Sequence, residues 1–191
     1  MMEAVPILST ITIINRMMIK KESIPSFLKE QAHELTLKRV EINKERYKGT
    51  HKERTGSKIS LLLGEVDRAY YTDYLGIISE LIIRWHYDIN PEFVGFKASS
   101  FIKKGKLVTD DCDLEVYKIV DKEEVKVRVS IKACEGSFKA NLKAMNRETS
   151  DIVIFVLFTG PNEYVMADFT PDEVRTWKQN FGFSPYYELK P

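Results

Sequence analysis

The chain has 191 residues, 43% hydrophobic, 30% charged and 11% aromatic, which suits one domain with a sizeable core and argues against a disordered or membrane-spanning chain. Its 29 Lys+Arg against 28 Asp+Glu give a formal net charge of +1, so the basic excess common among nucleic-acid binders is missing and overall charge supports no partner. The two cysteines, Cys112 and Cys134, exclude a disulfide framework or a four-Cys zinc site, and His33, His51 and His86 lie too far apart for metal-ligand spacing.

The apolar stretch of the N-terminus, Ala4 to Ile14, is shorter than the roughly 20 residues a membrane span needs. Glu3 precedes it and the basic residues follow it, the reverse of a signal peptide. A cytoplasmic protein without membrane contact is expected. From Lys20 to Lys58 the chain is highly charged and reads as mostly helix, with Phe27, Leu28, Leu35, Leu37 and Val40 forming a narrow apolar stripe. Thr50 to Lys58 reads as an exposed loop. These features predict a largely helical N-terminal extension over 1–56 and an α/β core over 57–191.

Ser57 to Tyr87 reads as a strong helix with a break near Thr72, ended by Asn90-Pro91. A strand at Phe93 to Phe96 and a basic turn carrying Lys97, Lys103, Lys104 and Lys106 follow. Asp113 to Val120 and Glu124 to Ala133 both alternate at period two around a polar DKE, the pattern of a β-hairpin. Val125, Val127, Val129 and Ile131 share one face; Glu124, Lys126, Arg128, Ser130 and Lys132 share the other. Gly136 to Thr149 reads as a crossover helix and Asp151 to Phe158 as a strand buried on both faces. Tyr164 to Phe169 reads as a further strand, and Thr170-Pro171-Asp172-Glu173 as a helix start with a capping box. The whole predicts a mixed sheet of about four to five strands flanked by helices.

An aspartate at the head of one hairpin strand, an x-Lys triplet late in the next, an acidic residue in the preceding helix and a crossover after the hairpin together resemble the PD-(D/E)xK nuclease superfamily. The matching residues are Asp113, Ser130-Ile131-Lys132 and Glu80, and the resemblance spans about Tyr71 to Trp177. It implies a restriction-endonuclease-like fold and a Mg²⁺-dependent nuclease (Mn²⁺ as a substitute) acting on DNA rather than RNA, in restriction, repair or recombination. Glu80 and Asp113 would bind the metal, and Lys132 would orient water or offset developing charge. Many such enzymes dimerise, which makes Lys20 to Lys58 a candidate interface.

The hairpin register can be argued without the family. With the turn near Lys122, pairing Asp113 with Ser130 puts Asp113, Glu115, Ser130 and Lys132 on the polar face; a slip of one residue would turn the valines out of the core. Ser130 stands where the family has an acid. Three outcomes follow: Glu115, Asp111 or Glu135 supplies the charge, with Glu115 best placed; the enzyme works with fewer carboxylates; or the fold survives as a catalytically degraded nucleic-acid-binding or assembly module. The rival triplet Glu124-Val125-Lys126 spells the motif better, but needs a turn inside Tyr117 to Val120, where turn chemistry is missing. Plainer roles stand beside these: an i,i+4 pair for Glu80 with Arg84, a solvated strand position for Lys132, and a solvated turn for the basic stretch.

Overall fold

The structure, a computed structural model, describes residues 21–47, 68–89, 93–98, 112–181 and 185–190. Its largest sheet is built from β1 (Lys21–Ser23), β2 (Phe93–Ala98), β3 (Leu114–Val120), β4 (Glu123–Glu135), β6 (Ile152–Gly160) and β7 (Glu163–Phe169), in the spatial order β1-β7-β6-β4-β3-β2. All neighbours are antiparallel except β4 and β6, so the sheet is mixed. The single parallel pair is why Ile152 to Leu157 are all buried: a strand with cover on both faces reads as an unbroken apolar run.

Two long helices cover one face. Helix α1 (Ser26–Tyr47) and helix α2 (Arg68–Ile89) pack on each other, and with the sheet they enclose Ile77, Ile78, Ile82, Ile83, Leu114, Val116, Val129 and Ile154. Helix α2 runs without interruption through Thr72 and stops at Ile89, just before Asn90-Pro91. Its stretch from Ile77 to Ile83 is buried almost all round because it lies between α1 and the sheet. The stripe of α1 differs from the sequence expectation: Leu28, Ala32 and Thr36, after Ile24, are the buried positions, while Phe27 and Leu37 are about half exposed. Small Ala and Thr let the helix axes approach, and Thr36 Oγ1 donates to the Ala32 carbonyl at 2.6 Å. Residues 21–47 thus share the core of the later chain, and β1 pairs with β7; the boundary expected at 56/57 lies outside the described residues.

The other face carries a second, aromatic core of Phe138, Phe155, Phe169, Trp177 and Tyr187. It is closed by a small sheet, in order β5-β9-β8, of β5 (Phe138–Asn141), β8 (Lys178–Asn180) and β9 (Tyr186–Leu189). Here the structure corrects the expected crossover helix. The crossover holds β5 and only a one-turn helix, α3 (Leu142–Met145). Gly136 at φ +73 turns the chain out of β4, and Phe138 and Ala140 then alternate inward against β9. The distant partner strand overrides a local helical spacing. The capping box of Thr170 and Glu173 opens a short helix, α4 (Pro171–Arg175).

Among the described residues no helix is long and apolar enough to cross a membrane.

Candidate active site at the fork of the sheet

Strands β3 and β4 form the expected hairpin, turning at Asp121 and Lys122, both at positive φ (52° and 72°). Leu114 pairs with Val129, so Asp113 meets Ser130 as the valine pattern required. Val129 is also the first residue of β4 to pair with β6, through Ile152. The partner of β4 therefore changes at this residue, and the sheet forks.

Two carboxylates close the fork. Asp113 Oδ2 accepts from the Ile131 N–H at 2.7 Å, past the end of β3. Asp151 Oδ2 accepts from the Arg128 N–H at 2.7 Å, before β6 begins. Each satisfies a strand donor that has lost its ladder partner.

Side chains converge around Ser130, which is 4% exposed. Lys132 Nζ donates to Ser130 Oγ at 2.7 Å, and Ser130 Oγ lies 3.5 Å from Asp113 Oδ2. Lys132 Nζ is also 3.6 Å from Glu148 Oε2. Glu148 lies in the segment between α3 and β6, and sequence reasoning missed it. The sequence places Glu148 near the end of the expected crossover helix, whereas the helix stops at Met145 and the crossover geometry brings Glu148 back to β4. Its carboxyl is held below the usual range: burial pushes it up, but the Lys132 ammonium and hydrogen bonds from Ser150 and Ser130 outweigh that.

Glu80 is the one acidic residue in the buried run of α2. Its carboxyl is pushed up to about 7, first by burial and then by repulsion from Asp113, against the opposing pull of Arg84, Arg39 and Lys132. Arg84 Nη2 reaches Glu80 Oε2 at 3.3 Å, so the plain i,i+4 pair exists as well. Glu80 is thus near enough to feel the charges of Asp113 and Lys132, with Ser130 hydrogen-bonded between those two.

The remaining candidates are arranged differently. Glu115 is on the expected face, but Lys126 Nζ holds its carboxylate at 3.2 Å and the Tyr117 hydroxyl donates to it at 3.2 Å. Glu135 accepts from the Tyr71 hydroxyl, whose pKa rises to about 12 through burial and that carboxylate. Lys97 lies on the edge strand β2, opposite Glu115. Lys103, Lys104, Lys106 and Asp111 lie outside the described residues. The rival Glu124 pairs with Ile119 beside the turn, at the far end of the hairpin from Asp113. Cys112 and Cys134 are both free thiols.

No three His, Cys, Asp or Glu side chains among the described residues form a ready metal cage. Repulsion from Asp113 adds to the burial that raises the Glu80 carboxyl, and a cation held between the two would relieve it. That donor set suits Mg²⁺, which is commonly held by one or two carboxylates, with waters and substrate phosphates completing its shell. Comparison with protein-family models, with curated proteins and with solved structures finds no match.

Proposed function

We propose that the protein is a metal-dependent nuclease of restriction-endonuclease-like fold, hydrolysing phosphodiester bonds of nucleic acid, DNA in preference to RNA. One observation carries this reading: a glutamate with a strongly raised pKa, an aspartate and a lysine meet at a fork in a mixed sheet, on a hairpin in the register that the motif requires. A carboxylate perturbed by burial and by a specific charge neighbour is a candidate functional group.

Glu80 and Asp113 would hold a divalent cation, which when bound polarises the phosphodiester and makes water more acidic. Burial makes the Glu80 carboxyl a poor bare anion, so it gains most from a cation. Asp113 is fixed in direction by the Ile131 N–H. Lys132 presents its ammonium beside Asp113 through Ser130, where it offsets charge developing on the phosphoryl oxygens. Lys97, Lys103, Lys104 and Lys106, a basic stretch that precedes the hairpin in the chain, would contact backbone phosphates. A cytoplasmic setting and a homodimer able to cut both strands complete the reading.

A second reading keeps the fold as a non-catalytic nucleic-acid-binding or assembly module. Ser130 favours it, because a hydroxyl is a weaker Mg²⁺ ligand than the acid it replaces. The two separate on incubation of the purified chain with plasmid and single-stranded DNA, with Mg²⁺ or Mn²⁺, beside Lys132→Ala. Metal-dependent cleavage that disappears in the variant supports the enzyme. Binding without cleavage under every condition supports the module.

A further inference from the structure

The small sheet has two unlike faces. Its inner face closes the aromatic core with Phe138, Ala140 and Tyr187, all buried. Cross-strand partners share a face. The pairings Lys139↔Glu188, Asn141↔Tyr186, Lys178↔Glu188 and Asn180↔Tyr186 therefore place six residues on the outer face. None of the six is buried.

A solvated strand face needs only polar residues, yet this one sets an aromatic ring on its middle strand. Lys139 Nζ lies 5.6 Å from the centroid of the Tyr186 ring, so a cation and a π-face are presented together. Phe181, which follows Asn180 at the mouth of the same hairpin, is 78% exposed and offers a second ring. The one acid among the six is already engaged. Ser137 Oγ donates to Glu188 Oε1 at 2.6 Å, and Asn180 Nδ2 donates to Oε2 at 2.8 Å. Lys139 and Lys178 flank that acid from the two neighbouring strands. Lys190, exposed, continues the outward alternation of β9 past Leu189. Three ammonium groups against one hydrogen-bonded carboxylate make this face positive, on a chain whose formal net charge is only +1.

Rings to stack on, with cations around them, suit a single strand of nucleic acid: bases stack and phosphates meet the lysines. An acidic peptide would use the charges and leave the rings without a role. Both amides are engaged inside the fold, Asn180 with Glu188 and Asn141 in capping α3. The face thus offers stacking and charge more than base-edge contacts, which suits binding with little sequence preference.

We propose that the outer face of the small sheet binds single-stranded nucleic acid, with a base stacked on Tyr186 and phosphates on Lys139 and Lys178. The surface shares a class of partner with the nuclease reading but none of its residues. It lies on the side of the large sheet to which Lys132 points, because Cys134, two positions further along β4, packs in the aromatic core.

The test is the fluorescence anisotropy of a labelled oligodeoxythymidine about 15 nucleotides long, titrated with the full chain in EDTA so that metal-dependent cleavage does not intervene. Tyr186→Ala should weaken binding by about tenfold, the scale of one lost stacking contact, and Tyr186→Phe by less than about twofold because the ring remains. Changing Lys139→Gln and Lys178→Gln together should lower the slope of log affinity against log salt by about 1.4, at ~0.7 for each phosphate on a single strand. Unlabelled oligodeoxythymidine should compete, and a poly-glutamate peptide should not. The proposal is overturned by wild type that does not bind, by Tyr186→Ala that binds as wild type does, or by Tyr186→Phe as weak as Tyr186→Ala. Competition by poly-glutamate as strong as that of the oligonucleotide also overturns it, and assigns the face to an acidic protein. If Tyr186→Ala does not fold, the double lysine variant, changed at two exposed positions, decides: an unchanged salt slope overturns the proposal. Binding that depends on this face without Mg²⁺-dependent cleavage sinks the nuclease reading alone. Cleavage with binding indifferent to the face sinks this proposal alone.

Discussion

The two ends of strand β4 carry the same side-chain pattern on the same face and differ in what surrounds it. At the turn end, Glu124-Val125-Lys126 spells the nuclease triplet, and Lys126, half exposed, reaches Glu115 at 3.2 Å beside solvent. At the fork end, Ser130-Ile131-Lys132 spells it worse. There Lys132 lies among a buried serine, a fixed aspartate and a nearly buried glutamate, with Glu80 close enough to feel its charge. The motif letters favour the turn end, and the surroundings favour the fork. What separates the two is the change of partner at Val129, where β3 gives way to β6 and leaves backbone donors for side chains to satisfy.

The sharpest way to break this comparison is to remove each lysine in turn. Lys132→Ala should reduce metal-dependent cleavage by about a hundredfold or more, the scale of losing one preorganised charge from a transition state. Lys126→Ala should change it by less than about twofold, because an exposed ion pair contributes little. Comparable losses from both, measured as kcat/KM on one DNA substrate, would erase the distinction between the ends.

Next in size is the pH dependence set by Glu80. Its carboxyl titrates at about 7 in the fold against 4.5 as the ordinary value, so the folded chain holds a proton that the unfolded chain has lost. Stability is therefore fully present below 4.5 and declines as pH rises to about 7. At ~1.4 kcal/mol per pH unit the loss is on the order of 3 kcal/mol. Glu80→Gln mimics the protonated form and keeps an oxygen for Arg84. Without metal it should be more stable than wild type at pH 8 by about 1–3 kcal/mol, and equal to it near pH 4.5. Mg²⁺ should raise the wild-type Tm more at pH 8 than at pH 5, and should not do so in Glu80→Gln. A variant less stable than wild type at pH 8 would mean that the Arg84 pair outweighs burial.

The turn itself offers a smaller effect. Asp121 and Lys122 both sit at positive φ, a conformation that favours Asn-Gly in two-residue hairpins. Lys122→Gly should raise stability by a few tenths to about 1 kcal/mol, read from denaturant midpoints, with cleavage unchanged because the fork lies at the other end of the hairpin.

Much of this was legible in the residues. The valine alternation of β4 set the register, so Asp113 against Ser130 and the placing of Lys132 followed from period and turn chemistry alone. Glu80 stood out as an acid inside an apolar helical run. Three features were not legible, each for the same physical reason. The strand β1 exists because β7 offers an edge, as the antiparallel pairing of Lys21 with Val165 shows. The strand β5 replaces a helix because β9, far along the chain, pairs with it. Glu148 reaches Lys132 only because the crossover returns there and Arg175 fixes its turn. Local patterns report local preference, and these elements are decided by distant partners.

The smallest predicted effect bears on the residue that the sequence favoured as the missing acid. Glu115 lies on the right face, two positions beyond Asp113, and a strand side chain at that spacing can lean toward either end. Here Lys126 and Tyr117 both draw it toward the turn. Glu115→Gln should therefore cost less than about 0.5 kcal/mol of stability, and that difference should shrink as salt screens the Lys126 pair. Mn²⁺ affinity, measured by calorimetry on the full chain, should move by less than about twofold, since a ligand lost from the ion would cost far more. A tenfold or greater loss of affinity would mean that Glu115 swings to the fork when a cation binds. The two ends of β4 would then act as one site, and the comparison between them would fail.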